Sequence, residues 1–203
     1  PSPSEPSPQA AAKKGMFPLA LDVALRPNDF FRSMPRTGGL WEPFIFAFVM
    51  CLIGLGLRLC AMVASGMLSS GPSAMIGSIG MLIGLIAGLI MTPIGFAIGA
   101  AIAHVIWLIL GSKQPFETSF RCVAYMAALY PAQMAVRAVP GIGMWLAIPV
   151  SLYGIYLFVP ASVEAHGVER RKASIAAGVC ALFAIFSMAS SALLAWKMRR
   201  LLP

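Results

Sequence analysis

Charged side chains are scarce in this sequence. They make up 11% of its 203 residues, whereas an ordinary soluble domain carries about 25%. Hydrophobic residues make up 59%, and the mean hydropathy is +0.84. A soluble domain of this size cannot hide so much apolar surface, and the apolar runs reach the length that crosses a bilayer core roughly 30 Å thick. The sequence therefore predicts an all-α fold, a polytopic bundle of transmembrane helices.

Catalytic and metal-binding motifs are also missing from the sequence. It has no Walker loop, no dinucleotide-binding glycine motif, no H-E-x-x-H and no G-x-S-x-G. The two histidines, His104 and His166, lie in different segments, and the four cysteines form no C-x-x-C pair. We therefore expect a protein that is not an enzyme, with no catalytic residue, no metal site and no cofactor.

Acidic residues are outnumbered by basic ones, 7 against 15, which gives a net charge of +8. Such an excess is also found in nucleic-acid-binding domains, where the basic residues cluster on one face. Here the Lys and Arg residues lie mainly at the ends of the hydrophobic segments. We interpret them as signals of membrane orientation and expect no nucleic-acid partner.

The amino-terminal part of the chain divides into two segments. Residues 1–15 are rich in Pro and Ser and are predicted to be a disordered tail. Residues 16–40 are predicted to be a juxtamembrane amphipathic segment. One interpretation lays this segment on the membrane surface with Phe30, Phe31 and Met34 in the lipid. The other makes it a linker without a binding role.

Residues 41–200 are predicted to form a transmembrane domain of five helices. Trp41 marks a membrane interface and Pro43 suits a first helical turn. Pro131 predicts a kink in the third helix. The five helices are expected at residues 41–64, 74–110, 116–137, 144–163 and 173–196.

The second predicted helix is unusually long and carries many glycines. Its residues could form one continuous helix or a hairpin of two short helices that breaks at Pro93. At about 100° per residue, the glycines of one continuous helix fall within an arc of roughly 100°. Because a hairpin gives no reason for this alignment, we predict one long helix. Small residues let helices approach closely in lipid, so we expect the stripe to pack against the bundle or a partner. The stripe consists of Gly77, Gly80, Gly84, Gly88, Gly95 and Gly99.

Basic residues also predict the orientation of the bundle. With five crossings and the amino end inside, most Lys and Arg residues fall on the inner side, as the positive-inside rule requires. The first long apolar run begins near Trp41 and is too long for a signal peptide, which also favours an inner amino end. The basic carboxyl end at Lys197–Arg200 does not fit this orientation. An alternative is that the fifth helix does not cross.

Four polar residues inside the apolar segments are candidates for an intramembrane site. Arg58 could bind an anionic headgroup or line a polar cavity, or its side chain could extend to the interface. His104 could carry a proton, but an interhelical hydrogen bond is the favoured interpretation. Gln133 is expected to satisfy a backbone group freed by Pro131. Tyr125 could line a substrate path, although tyrosine is common at helix interfaces.

Short motifs spread along the chain resemble those of the bacterial branch of the Yip1 family. The first are N-D-F-F-R at residues 28–32, G-G-L-W-E-P at residues 38–43 and the late histidine of the second helix. The later ones are Phe116-Glu117-x-x-Phe120-Arg121-x-x-x-Tyr125, Pro140-Gly141-Ile142-Gly143 and Glu164-Ala165-His166-Gly167. In order and spacing this resemblance covers residues 25–195.

The resemblance implies five transmembrane helices and a cytoplasmic amino end, in a bacterial inner membrane. Eukaryotic members of the family resemble adaptors in vesicle traffic that are linked to small GTPases, whereas bacterial members have no generally assigned activity to transfer. We therefore expect a multi-pass scaffold or accessory protein that contacts membrane lipids and forms a homo-oligomer or a larger membrane complex. The alternative is a small transporter, channel or lipid-moving protein that uses Arg58, His104 and Gln133. A third hypothesis is membrane shaping by the amino-terminal segment.

Overall fold

The computed structural model describes residues 15–64, 72–139 and 142–201, and every regular element in these ranges is helical. Except for Gly15, the predicted tail lies outside these ranges. Pro140 of the Pro140–Gly143 motif also lies outside them. The helices are α1 (Met16–Leu25), α2 (Pro27–Ser33), α3 (Trp41–Ala64), α4 (Pro72–Ile109), α5 (Phe116–Met126), α6 (Tyr130–Arg137), α7 (Gly143–Pro160) and α8 (Arg170–Leu201). The predicted all-α bundle is confirmed.

The helix predicted over residues 116–137 is divided into two. A 3₁₀ turn, Ala127–Leu129, separates α5 from α6. Pro131 explains the break, because a proline ring collides with the carbonyl group four residues earlier, which here belongs to Ala127. A π-helical turn, Ala161–Ala165, directly follows the last residue of α7.

The long helix α4 is continuous, as predicted. Its 38 residues correspond to about 57 Å of helix, and no hairpin forms at Pro93. The face that packs against the bundle carries Ala100 and Trp107, both with no exposed surface. The glycine stripe lies on the other side.

Gly80, Gly84, Gly88 and Gly95 make no close contact with another helix in the described part of the chain. A Cβ atom added at Gly80, Gly84, Gly88 or Gly95 would meet no atom within 4 Å, and one at Gly99 would reach only Val123 Cγ1 at 4.0 Å. The side-chain surroundings of Gly77 are outside the described part of the chain. The stripe was expected to pack against the bundle or against a partner. These four glycines do not pack against the described part of the bundle.

Three helical segments within the described ranges are long and apolar enough to cross a membrane. They are Trp41–Ala61, Ile86–Ile109 and Gly143–Ala165. The protein is thus a multi-pass membrane protein by the length and composition of its helices. The count of five crossings stays a prediction.

The amino-terminal helices fold back onto the bundle. Phe31 and Met34 are 1% and 5% exposed, and the half-buried Phe30 packs its ring against Tyr125, with ring centroids 5.1 Å apart. On α1, Ala24 accepts a hydrogen bond of 2.6 Å from the hydroxyl of Tyr153. The interpretation that places Phe30, Phe31 and Met34 in lipid is therefore wrong, because the bundle covers these side chains.

Close backbone approach holds α3 against α6. A Cβ atom at Gly54 would lie 2.6 Å from Cδ1 of Tyr130 and 3.1 Å from Cγ of Met134. Only glycine leaves room for the Tyr130 ring at this distance. Gly56, two residues further along α3, has no such neighbour within 4 Å.

We predict that Gly54→Ala destabilises the bundle by about 1–3 kcal/mol, the usual cost of forcing an extra carbon into a packed site. The control, Gly56→Ala, should be neutral or stabilising by up to about 1 kcal/mol because alanine favours helix. Reversible unfolding in detergent micelles measures both. Equal stability of the two variants would mean that α3 and α6 do not approach this closely.

Candidate functional site

Polar side chains from distant parts of the sequence meet at one end of the bundle. We call this region the polar end. It combines α2, the start of α3, the end of α4, the start of α5 and the segment between α7 and α8. Its main residues are Arg32, Arg36, Gly39, Glu42, Ser112, Glu117, Thr118, Arg121, Glu164 and His166.

Arg121 is the buried charge of the polar end. Its side chain is 2% exposed, and Nη1 donates a hydrogen bond of 2.8 Å to the carbonyl oxygen of Gly39. Nη1 also lies 3.5 Å from Oε1 of Glu117, and Nη2 lies 3.7 Å from Oε2 of Glu42. Glu117 precedes Arg121 by four residues on α5, the spacing at which opposite charges meet on one helix face. A buried arginine with carboxylate neighbours ties α5 to the start of α3.

Two glycines shape the loop that reaches Arg121. Gly38 and Gly39 have φ values of +127° and +95°, which side chains with a Cβ atom rarely adopt. The amide of Gly39 donates a hydrogen bond of 2.6 Å to Oε1 of Glu117. The hydroxyl of Thr118, the next residue of α5, donates a hydrogen bond to the carbonyl oxygen of Arg36 at 3.0 Å. The loop is therefore bound to α5 through its backbone.

Glu164 connects the π-helical turn to α2. Its carboxylate accepts two hydrogen bonds from the guanidinium of Arg32, at 2.9 and 3.2 Å, and its carbonyl oxygen accepts one from Nη2 of Arg36 at 3.4 Å. The bonds to Glu164 raise the pKa of Arg32 above its ordinary value. The Arg32 side chain is 66% exposed, so this pair contributes little to stability compared with a buried one.

His166 is buried in a stack of rings. Its imidazole lies on the ring of Trp107, with centroids 3.9 Å apart and planes 16° apart, and Nδ1 is 3.0 Å from the hydroxyl oxygen of Ser112. Trp107 in turn stacks on Phe158 and donates a hydrogen bond of 2.7 Å from Nε1 to Ser162. Burial, with smaller effects of the charges of His104 and Arg36, lowers the pKa of His166 to about 3. The imidazole is therefore neutral and structural at ordinary pH.

The motif residues near the helix ends have packing roles of their own. Phe116 turns its ring edge-on to His104, with centroids 5.6 Å apart. A Cβ atom at Gly143 would lie 2.7 Å from the carbonyl oxygens of Val136 and Arg137, so the reversal between α6 and α7 requires glycine. Gly167 has φ of +66° and turns the chain toward α8.

The four intramembrane candidates are not brought together by the contacts of the described residues. Nδ1 of His104 lies 2.8 Å from Oγ of Ser119, which confirms the expected interhelical hydrogen bond. Gln133 donates to Ser151 on α7 at 2.8 Å. The prediction that it caps a backbone group is wrong, because a hydroxyl on the facing helix takes its place.

The other two candidates differ in their surroundings. Tyr125 is buried and packs between Phe30 and Phe46. The Arg58 side chain is exposed on α3. These positions do not form the polar path that the transporter alternative requires.

Several residues of the polar end gave no recognisable signal in the sequence. Trp107 lies in an apolar run and would be assigned to lipid, yet its side chain is completely buried. Ser112 and Ser162 are isolated serines whose partners lie far away in the chain. Only the nearness of Ser162 to the Glu164–Gly167 motif could have drawn attention to it. Within the described residues, no group of three or more His, Cys, Asp or Glu side chains could hold a metal ion.

We expect Arg121→Leu to destabilise the protein by about 3 kcal/mol, because it removes the hydrogen bond of a buried guanidinium to Gly39 and its charge contact with Glu117. The matched change Arg32→Leu removes the same charge from an exposed pair and should cost much less stability than the change at Arg121. Unfolding in detergent compares the two. An equal loss of unfolding free energy in the two variants would contradict the assignment of Arg121 as the buried charge that ties α5 to α3.

The stability of the protein should fall in mild acid because of His166. Its pKa is near 3 in the folded chain and ordinarily about 6.5, so between these values only the unfolded state binds the proton. The contribution is complete above about pH 7 and decreases as the pH falls through this window, by about 2 kcal/mol at pH 5. His166→Asn, which keeps a hydrogen-bonding group toward Ser112 and does not titrate, should show a flatter unfolding profile from pH 7 to pH 5. Parallel profiles of variant and parent would exclude this role.

Comparison with known proteins agrees with this arrangement of motifs. The model of the Yip1 domain matches residues 21–191, a range that contains the whole polar end. No curated protein and no solved structure matches the chain. Since the family model covers most of the sequence, the chain belongs to the Yip1 domain family.

Proposed function

We propose that this protein is a non-enzymatic scaffold or accessory subunit of the bacterial inner membrane, which assembles through the glycine face of α4. The observation that carries the proposal is the open surface along Gly80, Gly84, Gly88 and Gly95, where an added Cβ atom meets nothing within 4 Å. The occupant of this surface is a transmembrane helix of a second copy or of another membrane protein.

The two faces of α4 support assembly with another chain. At 100° per residue, Ala100, His104 and Trp107 lie on roughly the opposite side of the helix from Gly84, Gly88 and Gly95. The first side makes the contacts with the bundle, including the hydrogen bond of His104. The side of α4 that carries the large and polar residues therefore packs within this chain, and the glycine side stays open.

Lipid explains why the glycine side favours a protein neighbour. In hydrocarbon, apolar side chains gain nothing by leaving the lipid, so helices associate through close backbone packing. The G-x-x-x-G spacing of Gly80, Gly84 and Gly88 permits such packing. A stripe without side chains offers lipid little contact surface and offers another helix a groove.

The orientation with a cytoplasmic amino end is part of the proposal. Arg32 and Arg36 belong to the polar end, and Lys113 and the Arg170–Lys172 cluster lie in or beside its segments. Concentration of basic residues on one end favours a cytoplasmic location for that end. The polar end then faces the cytoplasm, where an accessory subunit can meet soluble partners.

We predict that the double variant Gly84→Leu and Gly88→Leu dissociates the assembly and leaves the single chain folded. The new side chains block another helix, and a Cβ atom at either position meets nothing within 4 Å in the described part of the chain. Native mass spectrometry after extraction in native lipid reports the assembly, and unfolding in detergent reports the fold.

The matched control is Ala97→Leu, an exposed alanine on the other half of α4. It adds a similar side chain and should leave the assembly intact. A parent protein that travels as a lone chain, or assemblies that survive the double glycine variant, would overturn the proposal.

A further inference from the structure

A partly enclosed cavity lies where α1 and α2 cover the bundle. It measures about 180 Å³ and opens between these helices, the start of α3 and α5. Its lining carries both signs of charge, with carboxylates from Asp22, Asp29 and Glu42 and guanidinium groups from Arg26 and Arg121. The cavity is smaller than the roughly 300–1,000 Å³ of sites that enclose a drug-sized molecule. It suits a small polar group attached to something outside.

Arg121 is the strongest indication of a ligand in this cavity. The side chain is 2% exposed, and its Nε has no hydrogen-bond partner among the described residues. Its contacts with Glu42 and Glu117, at 3.7 and 3.5 Å, are longer than charge-assisted hydrogen bonds. A buried cationic donor without an acceptor is costly. An oxyanion such as a phosphodiester is the acceptor that guanidinium groups bind most effectively.

Two carboxylates of the lining are accessible to a cation. Asp29 and Glu42 both have exposed side chains at the cavity, on α2 and on α3. A primary ammonium group donates three hydrogen bonds and pairs with carboxylates of this kind. An anion alone would add negative charge beside Asp29 and Glu42, and a cation alone would leave the Nε of Arg121 without an acceptor. A group that carries both a phosphodiester and an ammonium satisfies both sides.

The position of the cavity along α3 indicates that its ligand comes from the membrane. Glu42 follows Trp41, the residue at which the candidate span of α3 begins, so the cavity lies at the boundary of the hydrocarbon core. Beside it, α1 exposes Phe17, Leu21 and Leu25, which are 68%, 58% and 74% accessible and form one stripe at four-residue spacing. Asp22 follows Leu21 on the same helix, and Arg26 follows the last residue of that helix; both line the cavity. A headgroup in the cavity can therefore have its acyl chains along an apolar surface.

We propose that this cavity binds the headgroup of an aminophospholipid, with the phosphodiester at Arg121 and Arg26 and the primary ammonium at Asp29 and Glu42. The lipid joins α1 and α2 to the bundle from the membrane side. This site is separate from the glycine face of α4, so each proposal can fail without the other.

Binding can be measured by native mass spectrometry of the full chain in detergent, titrated with three lipids of identical acyl chains. Phosphatidylethanolamine should bind one to one and about tenfold more tightly than phosphatidylcholine or phosphatidylglycerol. The choline group has no N–H donor, and the glycerol group has no cation. Equal retention of the three lipids would overturn the proposal.

Two variants at exposed positions separate the two halves of the site. Arg26→Gln should weaken phosphatidylethanolamine and phosphatidylglycerol alike, by about fivefold, because it removes a phosphate contact. Asp29→Asn should weaken phosphatidylethanolamine by a similar factor and leave phosphatidylglycerol unchanged. The control Arg171→Gln, at an exposed position at the start of α8, should change neither. Unfolding in detergent verifies that all three variants fold, and folded Arg26 and Asp29 variants with unchanged lipid binding would overturn the assignment.

Soluble phosphoethanolamine distinguishes a membrane ligand from a free one. It carries the same two charged groups without acyl chains, and the stripe on α1 should make it a much weaker competitor than the lipid. Displacement of the bound lipid at equal concentration would refute the lipid and identify the site as one for a soluble phosphate ester.

Discussion

The buried guanidinium of Arg121 is the interaction on which the polar end depends. It binds the backbone of the Gly38–Gly39 loop and lies beside two carboxylates, so that α3 and α5 begin from one fixed junction. The loop accepts this geometry because its two glycines adopt positive φ values. A charge this deeply buried requires compensation, and the surrounding groups are positioned by that requirement. The family motifs at residues 38–43 and 116–125 therefore meet at one physical junction.

Contacts of different strength extend the junction to the rest of the bundle. The Arg32–Glu164 pair reaches the turn after α7 from the exposed side, and the stack of His166 on Trp107 reaches it from the buried side. Away from this end, glycine at position 54 allows α3 to approach the ring of Tyr130. In lipid, close packing and polar contacts of this kind hold helices together where the hydrophobic effect does not. The same reasoning supports the proposal that the open glycine face of α4 contacts another chain.

Much of the fold follows from the sequence, and the exceptions are informative. The bounds of α3 and the continuity of α4 were predicted, because the apolar length and the glycine phase depend only on helix geometry. The hydrogen bond of His104 was also expected. One of two interpretations placed Phe31 and Met34 in lipid, and both are buried in protein, since an apolar face does not reveal whether lipid or protein covers it. Gln133 was assigned to a backbone group and bonds to Ser151, a partner that sequence spacing cannot identify.

The sequence by itself determined that this protein is a bundle of membrane helices with basic ends, because a low content of charge and long apolar runs admit no other solvent than lipid. It also indicated the motif residues Glu117, Arg121, Glu164 and His166. Only the tertiary structure decided that these residues share one end of the bundle, that α4 turns its glycines outward, and that α1 and α2 enclose a charged cavity. The reason is physical: composition and periodicity act along one helix, whereas a partner for a buried charge comes from whichever helix packs beside it.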